Sequence, residues 1–344
     1  MLSKKTRLAS LAAIAAFSLS ITACGGGSPA PEGGTGETSG LEGNVTVDGS
    51  STVFPISEAM AEEFMKANPG VKVTVGVSGS GGGFKKFCAG ETDISNASRP
   101  IKESEMKLCA DAGIEYVEVP VAFDGLSVVV NPENDWAVCL KPEELGKMWE
   151  FAAEGKVTKW SQVRSDFPGE DLKLYGPGTD SGTYDYFVEA LIEDEDKGSR
   201  GDYTASEDDN VIVQGVQADE GGLGFFGFAY YEENKDALKI VEIENAEGNC
   251  VIPSTATVAD GSYNPLARPI FFYVKTSAME EKPQVKAFVE YQIDAANSAL
   301  IEEVGYVALP GDIATKVVAR VANATTGSIF GGKSSVGVPL AEKL

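Results

Sequence analysis

Strands that alternate with helices, joined by loops of glycine and hydroxyl residues, are the feature that most restricts the fold of this chain. From residue 44, the strand-like NVTVDGS precedes the amphipathic segment PISEAMAEEFMKANPG. The alternating VKVTVGV then precedes a glycine loop and a short helix at GFKKFCAG, and DLKLYGPG precedes TYDYFVEALIE. Apolar spacing that switches between that of a strand and that of a helix predicts an α/β architecture with largely parallel sheets.

The chain has 344 residues, too many for one small core, so we expect two lobes. The first lobe takes both ends of the sequence, 44–121 plus 267–344, and the second lobe is the inserted segment 122–266. The chain would cross between the lobes near Ala122 and Leu266. We expect a new strand to start at DGLSVVVN, after the first crossing, and GGLGFFGFAYYEEN to be an apolar strand of the second lobe.

The N-terminus has the features of an export signal. Three cations (Lys4, Lys5 and Arg7) precede an apolar run that is short for a membrane span and ends in small residues before Cys24. The sequence ITAC resembles the bacterial lipobox, so we expect a signal peptide over 1–23 and lipidation of Cys24. The residues after Cys24 are mostly glycine, proline, serine, threonine and glutamate, which predicts a flexible tether over 24–43. These features predict an exported protein, lipid-anchored at the outer face of a bacterial membrane in the cell envelope or periplasm.

Composition excludes several classes of function. The chain has no histidine, which removes Ser-His-Asp and Cys-His catalysis and all imidazole metal ligands. Its formal net charge is −24, and loss of the three cations in 1–23 leaves 25 Lys and Arg against 52 Asp and Glu, or −27. Nucleic acid is therefore not expected as a partner, and neither is electrostatic docking on anionic lipid. We expect no cofactor, no metal and a monomer.

Four cysteines remain after Cys24, and an even number outside the cytoplasm suggests two disulfides. Four cysteines allow three pairings, and spacing alone does not choose among them. We favour Cys88–Cys109, which closes a short loop within one lobe, and Cys139–Cys250, which spans the other. A metal site is the alternative, but the chain contains no CxxC pair.

Four segments rich in glycine and hydroxyls follow predicted strands: DGSSTVFP, SGSGGGF, SNASRP and GPGTDSGTY. Ligands of open α/β sheets bind outside the carboxyl ends of the strands. Helix N-termini favour anions, hydroxyls add neutral donors, and glycines let the backbone approach closely. One such turn is usually just a helix cap, but four at strand ends favour a site for a small oxyanion. Arg99 is the one cation among these segments. None of these four segments contains a P-loop motif, and no GxSxG elbow is present in the chain.

At these residues the sequence resembles the PstS-type phosphate-binding proteins of bacterial phosphate ABC transporters. The motifs are VDGSSTVFPISEAM, VSGSGGGFKKF, DISNASRPI, GTDSGTYDYF, GGLGFFGFAYY and TGSIFGGKSSVGVPLAEKL, and they span roughly residues 44–344 in order. The resemblance implies a type II periplasmic-binding-protein fold, with two α/β lobes, a two-stranded hinge and one phosphate between the lobes. It also implies delivery of that phosphate to a membrane permease and its ATPase, without catalysis.

The resemblance implies binding residues at each loop. They are Thr52 and the amide of Val53, with Ser51 adjacent, then Ser80, and then Ser181, Gly182 and Thr183. The chain departs from the family twice: Ser98, which we also expect to bind, stands in place of an aspartate, and Pro177 stands in place of an arginine. We expect Arg99 to supply the missing guanidinium and Asp180 the missing carboxylate.

Three alternatives stay open. Without a carboxylate at the ion, selection of phosphate over sulfate is not assured, so another tetrahedral oxyanion could be the ligand of a transporter or a sensor. A carboxylate-dependent phosphate-ester hydrolase is a more remote alternative, because the residues expected of an activated nucleophile are missing. A surface adhesin has only the predicted anchor in its favour.

Overall fold

The computed structural model describes residues 40–179, 181–192 and 197–344. The predicted signal peptide, Cys24, all of the predicted tether before residue 40, and Asp180 lie outside the described residues. None of the described helices is both long enough and apolar enough to cross a membrane. Residues 40–344 belong to one compact unit.

Thirteen strands and thirteen α-helices are assigned in the described part of the chain. The strands are β1 (Gly43–Gly49), β2 (Val71–Val77), β3 (Ile94–Ala97), β4 (Tyr116–Val130), β5 (Cys139–Leu140), β6 (Lys173–Gly176), β7 (Thr204–Ala205), β8 (Gly222–Gly227), β9 (Lys239–Ile240), β10 (Glu242–Glu244), β11 (Cys250–Val251), β12 (Ala267–Lys275) and β13 (Val307–Ala308). The helices are α1 (Phe54–Ala67), α2 (Gly79–Cys88), α3 (Glu103–Asp111), α4 (Pro142–Trp149), α5 (Trp160–Val163), α6 (Gly182–Leu191), α7 (Asp209–Ala218), α8 (Phe228–Asn234), α9 (Thr255–Ala259), α10 (Thr276–Glu281), α11 (Pro283–Gln292), α12 (Ser298–Glu303) and α13 (Gly311–Ala322).

The main sheet confirms the predicted α/β class. Its strand order is β2-β1-β3-β12-β4-β8-β6-β7, and β13 and β9 pair with β4 beside this path. At one end β1 lies parallel to β2 and β3, and at the other β6 lies parallel to β7 and β8. The central strands β12 and β4 run antiparallel to each other, so two parallel groups flank an antiparallel centre.

The central strand β4 is a single strand of 15 residues, all of them buried. It changes partner midway: Tyr116–Gly125 pairs with β12 and Leu126–Val130 with β8. At the change, Leu126 N–H donates to Leu266 O at 2.9 Å. The expectation of a separate strand starting at DGLSVVVN was wrong, because valine and aromatic residues sustain the extended backbone through this point.

Helices α1, α2 and α6 each begin just after the end of a strand of a parallel pair, as the sequence pattern predicts. Two details differ from expectation. The glycine stretch SGSGGGF is not a loop, since α2 begins at Gly79. A Cβ on Gly83 would lie 2.6 Å from Gly49 Cα and 2.8 Å from Ser95 Oγ, so glycine lets α2 pack tightly on β1 and β3. The segment GGLGFFGFAYYEEN is half strand and half helix, because α8 begins at Phe228.

Both predicted disulfides, Cys88–Cys109 and Cys139–Cys250, are present. The first joins the end of α2 to α3. The second joins the two outer strands of a small sheet ordered β11-β10-β5. Each bond therefore stabilises one part of the fold: the first holds α2 against α3, and the second closes the small sheet.

Candidate functional site

The loop between β1 and α1 presents a buried hydroxyl. Thr52 is 7% exposed, and its Oγ1 has no hydrogen-bond partner among the described residues. Tyr306 Oη donates to Thr52 O at 2.6 Å, which fixes the loop. In the described part of the chain the N–H groups of Ser51, Thr52 and Val53 have no protein acceptor. Donors thus gather at the start of α1, where the helix end favours negative charge.

The start of α6 lies against this loop. A Cβ on Gly182 would overlap Thr52 Oγ1 and would lie 3.1 Å from Thr52 Cβ. Ser181 caps α6, because its Oγ accepts from Thr183 N–H at 3.1 Å. The structure therefore brings together the predicted residues of the first and last loops, and only glycine fits at their contact.

Two more predicted residues, Ser80 and Ser98, form a pair. Ser80 lies in the first turn of α2, and Ser98 follows the last residue of β3. Their Oγ atoms are 3.1 Å apart, and Ser98 N–H donates to Ser80 Oγ at 3.1 Å. Because a hydroxyl both donates and accepts, this pair can turn a donor toward an anion.

Arg99 is occupied by a neighbour rather than directed at the other predicted residues. Its two terminal nitrogens donate to the Glu105 carboxylate at 2.9 and 2.8 Å, and it also donates to Pro100 O at 3.1 Å. The guanidinium lies 5.7 Å from the centre of the Phe84 ring. Glu105 therefore holds the guanidinium of Arg99 in a bidentate ion pair.

Arg268, near the start of β12, is a cation that the sequence analysis missed. It is 2% exposed, and its guanidinium stacks 3.8 Å above the Tyr186 ring of α6. One nitrogen lies 3.3 Å from Gly182 O and 3.4 Å from Asp124 Oδ2. The available signal was a lone arginine in the apolar run NPLARPIFFYV, since a charge in a buried strand needs a partner.

A cavity of about 1040 Å³ lies beside the Ser80–Ser98 pair and Arg268, and neither Ser51–Val53 nor Ser181–Thr183 is among its described lining residues. Its wall includes Ser80, Ser98, Arg99 and Arg268, together with Gly332–Ser334 of the C-terminal tail. Because Arg268 also touches Gly182, the cavity adjoins the contact between the first and last loops.

Carboxylates also face this region. Asp185 and Glu189 of α6 line the cavity, and Asp124 lies beside Arg268. Burial raises the pKa of Asp124 and of Asp185, while Arg268 opposes both shifts. Asp185 and Glu189 therefore place carboxylate acceptors on the cavity wall.

In the described residues, one cluster has metal-binding composition: Cys139, Glu242 and Cys250. Its two cysteines form a disulfide, so their sulfurs are not thiolate ligands.

Comparison with known proteins gives consistent matches. Residues 29–296 match the model of the PBP superfamily domain. The chain is 54% identical over 301 residues to protein SphX of Synechococcus elongatus, covering 88% of each chain. It is 42% identical over 310 residues to the phosphate-binding protein PstS of Staphylococcus saprophyticus, covering 89% of this chain and 91% of the relative. The crystal structure of a possible phosphate binding protein from Planctomyces limnophilus superposes with a TM-score of 0.75 at 47% identity, covering 83% of this chain and 99% of that one.

Proposed function

Because the chain belongs to the PBP superfamily and, within it, to the PstS-type family, we propose that it captures inorganic phosphate outside the cytoplasm for an ABC transporter. The match to the structure of a possible phosphate binding protein from Planctomyces limnophilus supports the same assignment. In this proposal the chain binds and releases the ion without chemical change.

The observation that carries the proposal is the buried Thr52 hydroxyl without a partner among the described residues, at the start of one helix and against the start of another. A buried polar group without a hydrogen bond costs about 1–3 kcal/mol. An oxyanion placed at Thr52 would accept hydrogen bonds from that hydroxyl and from the neighbouring backbone amides. Two helix N-termini would then favour its charge.

The other predicted residues complete the proposed shell. Ser51 and the Val53 amide act with Thr52 at α1, and the Ser80–Ser98 pair donates from the cavity wall. From α6, Ser181, Gly182 and Thr183 contribute the helix start. Arg99 lies on the same cavity wall, paired with Glu105, and Asp180, which lies outside the described residues, adds a carboxylate.

We propose that the fold closes about the ion as two lobes, 44–121 plus 267–344 and 122–266. The partner change in β4 and the hydrogen bond from Leu126 to Leu266 support a hinge of two adjacent crossings. The contact of Thr52 with Gly182 would then belong to the closed form.

We also propose that the chain carries a lipid anchor and works with the permease and ATPase of a transporter. Lipidated Cys24 would hold a monomer at the outer face of a bacterial membrane, and the tether would let it reach the permease and its ATPase. The lipobox-like ITAC and the glycine-, proline- and serine-rich sequence after it support this arrangement.

Titration calorimetry on the full chain in detergent tests the proposal. We expect one phosphate per chain, with sulfate and molybdate much weaker. Equal binding of sulfate would favour the other-oxyanion alternative, and no heat with phosphate would refute the proposal. Turnover of a phosphate monoester would instead indicate the hydrolase.

A further inference from the structure

Arg268 is a buried cation whose contacts with oxygen acceptors are all long. Its closest acceptors are Gly182 O at 3.3 Å, Asp124 Oδ2 at 3.4 Å and Glu189 Oε2 at 3.6 Å. Its Nε has no hydrogen-bond partner among the described residues. Good N–H···O hydrogen bonds measure about 2.7–3.2 Å, so this guanidinium retains donor capacity.

Arg200 shows how the same chain satisfies a buried arginine. It is 5% exposed, close to the 2% of Arg268. Arg200 donates to Met148 O at 3.1 Å, to Val157 O at 2.8 Å and to Asp202 Oδ2 at 2.8 Å. Arg268 has ion pairs with Asp124 and Glu189 instead, but they are longer, at 3.4 and 3.6 Å, and they leave its Nε unpartnered among the described residues. Its guanidinium can therefore take a further acceptor.

The position of Arg268 indicates where a further acceptor would bind. Its side chain lies on the wall of the 1040 Å³ cavity together with Ser80 and Ser98. It also touches Gly182, which contacts Thr52. The guanidinium therefore lies where the hydroxyl pair and the start of α6 approach each other.

We propose that Arg268 is the guanidinium that contacts the bound oxyanion. This inference rests on the proposed function and names a ligand residue that neither the sequence analysis nor the comparisons assign. Arg99 already has a bidentate partner in Glu105, whereas the long contacts of Arg268 can be exchanged for short ones to an anion.

The surroundings of Arg268 make its contribution depend on the charge of the ion. The groups that face it are Asp124, Asp185 and Glu189, with the phenols of Tyr186 and Tyr306. Three carboxylates beside one guanidinium would disfavour a dianion if the guanidinium were removed. Arg268 therefore supports the phosphate dianion more than the monoanion.

The test is phosphate titration of the full chain and its Arg268→Met variant at about pH 6 and about pH 8, where the monoanion and the dianion dominate in turn. Arg164→Met is the matched control, because Arg164 pairs with Glu144 and does not line the cavity. We expect Arg268→Met to weaken binding by about 10- to 100-fold, with the larger loss at about pH 8. The control should bind like the wild type.

Two results would overturn the inference while leaving phosphate binding by the wild type intact. One is an Arg268→Met variant that binds within about threefold of the wild type. The other is an equal loss at both pH values, which indicates a merely structural role. If Arg268→Met does not fold, Arg268→Lys decides: weaker binding that still favours the dianion supports contact, and unchanged affinity refutes it. Absence of phosphate binding by the wild type would instead refute the proposed function.

Discussion

Thr52 and Gly182 lie so close together that no side chain larger than hydrogen fits at residue 182 without moving the first loop. The two residues are 130 positions apart in the sequence, yet each stands at the start of a helix that follows a strand. Their contact brings a buried hydroxyl, unpartnered among the described residues, against a second helix N-terminus. The proposed site depends on this approach.

Replacement of Gly182 by alanine should therefore weaken phosphate binding by about 10- to 100-fold, because overpacking costs about 1–3 kcal/mol. Calorimetry measures the change. Gly169→Ala is the control, since a Cβ on Gly169 meets nothing within 4 Å. Wild-type affinity in Gly182→Ala would show that the contact is not part of the bound form.

Ser80→Ala should weaken phosphate binding by about tenfold, because it removes one proposed donor and the acceptor of Ser98 N–H. The exposed Ser161, which does not line the cavity, supplies the control Ser161→Ala. Equal affinities of the two variants would remove the Ser80–Ser98 pair from the proposed site.

Much of this arrangement could be predicted from the sequence, because strand, loop and helix are local signals. Thr52, Ser80 and Ser181 each follow a strand as predicted, although Ser80 lies in the first turn of α2 and not in a loop. Arg268 was not found, because its role depends on the pairing of β12 with β4 and on contact with α6, whose first residue lies 86 positions earlier. No local pattern reports such a contact.

Arg99 illustrates a second limit. The sequence around Arg99 identifies a cation at the end of a strand. The direction in which its guanidinium points, however, depends on where α3 places Glu105. The continuous strand β4 illustrates a third, since a change of pairing partner leaves little trace in a strand that is buried throughout.

Glu118, fully buried in β4, should make stability depend on pH. Burial raises its pKa from 4.5 to about 7. Between these values the folded chain holds a proton that the unfolded chain releases, so stability falls as pH rises from about 4.5 to about 7 and stays reduced above. Glu118→Gln should remove this slope and stabilise the protein at about pH 8 by roughly 2–3 kcal/mol.

Urea unfolding at about pH 5 and about pH 8 measures the effect of Glu118. A glutamine can still accept from Ile329 N–H, as Glu118 Oε1 does at 3.2 Å. The exposed Glu115 gives the control Glu115→Gln, which should leave the slope unchanged. A Glu118→Gln variant with the wild-type slope would contradict the prediction.

Mild thiol reduction should open Cys139–Cys250 before Cys88–Cys109, because Cys250 is exposed and both cysteines of the Cys88–Cys109 pair are buried. Alkylation followed by mass spectrometry identifies the order. The opened bond spans 111 residues, so its loss should lower the free energy of unfolding by about 5 kcal/mol on the chain-entropy model. Preferential reduction of Cys88–Cys109 would contradict the burial of that pair.

The position of the bound ion shows whether Thr52, the Ser80–Ser98 pair and the start of α6 form one anion site. Arsenate is a tetrahedral analogue of phosphate whose arsenic gives an anomalous diffraction signal. In crystals of the arsenate complex we predict one arsenic peak with oxygens within about 3 Å of Thr52 Oγ1, the Ser80–Ser98 pair and the first turn of α6. A single peak away from these residues, or an arsenate-saturated chain without a peak there, would show that the anion binds elsewhere.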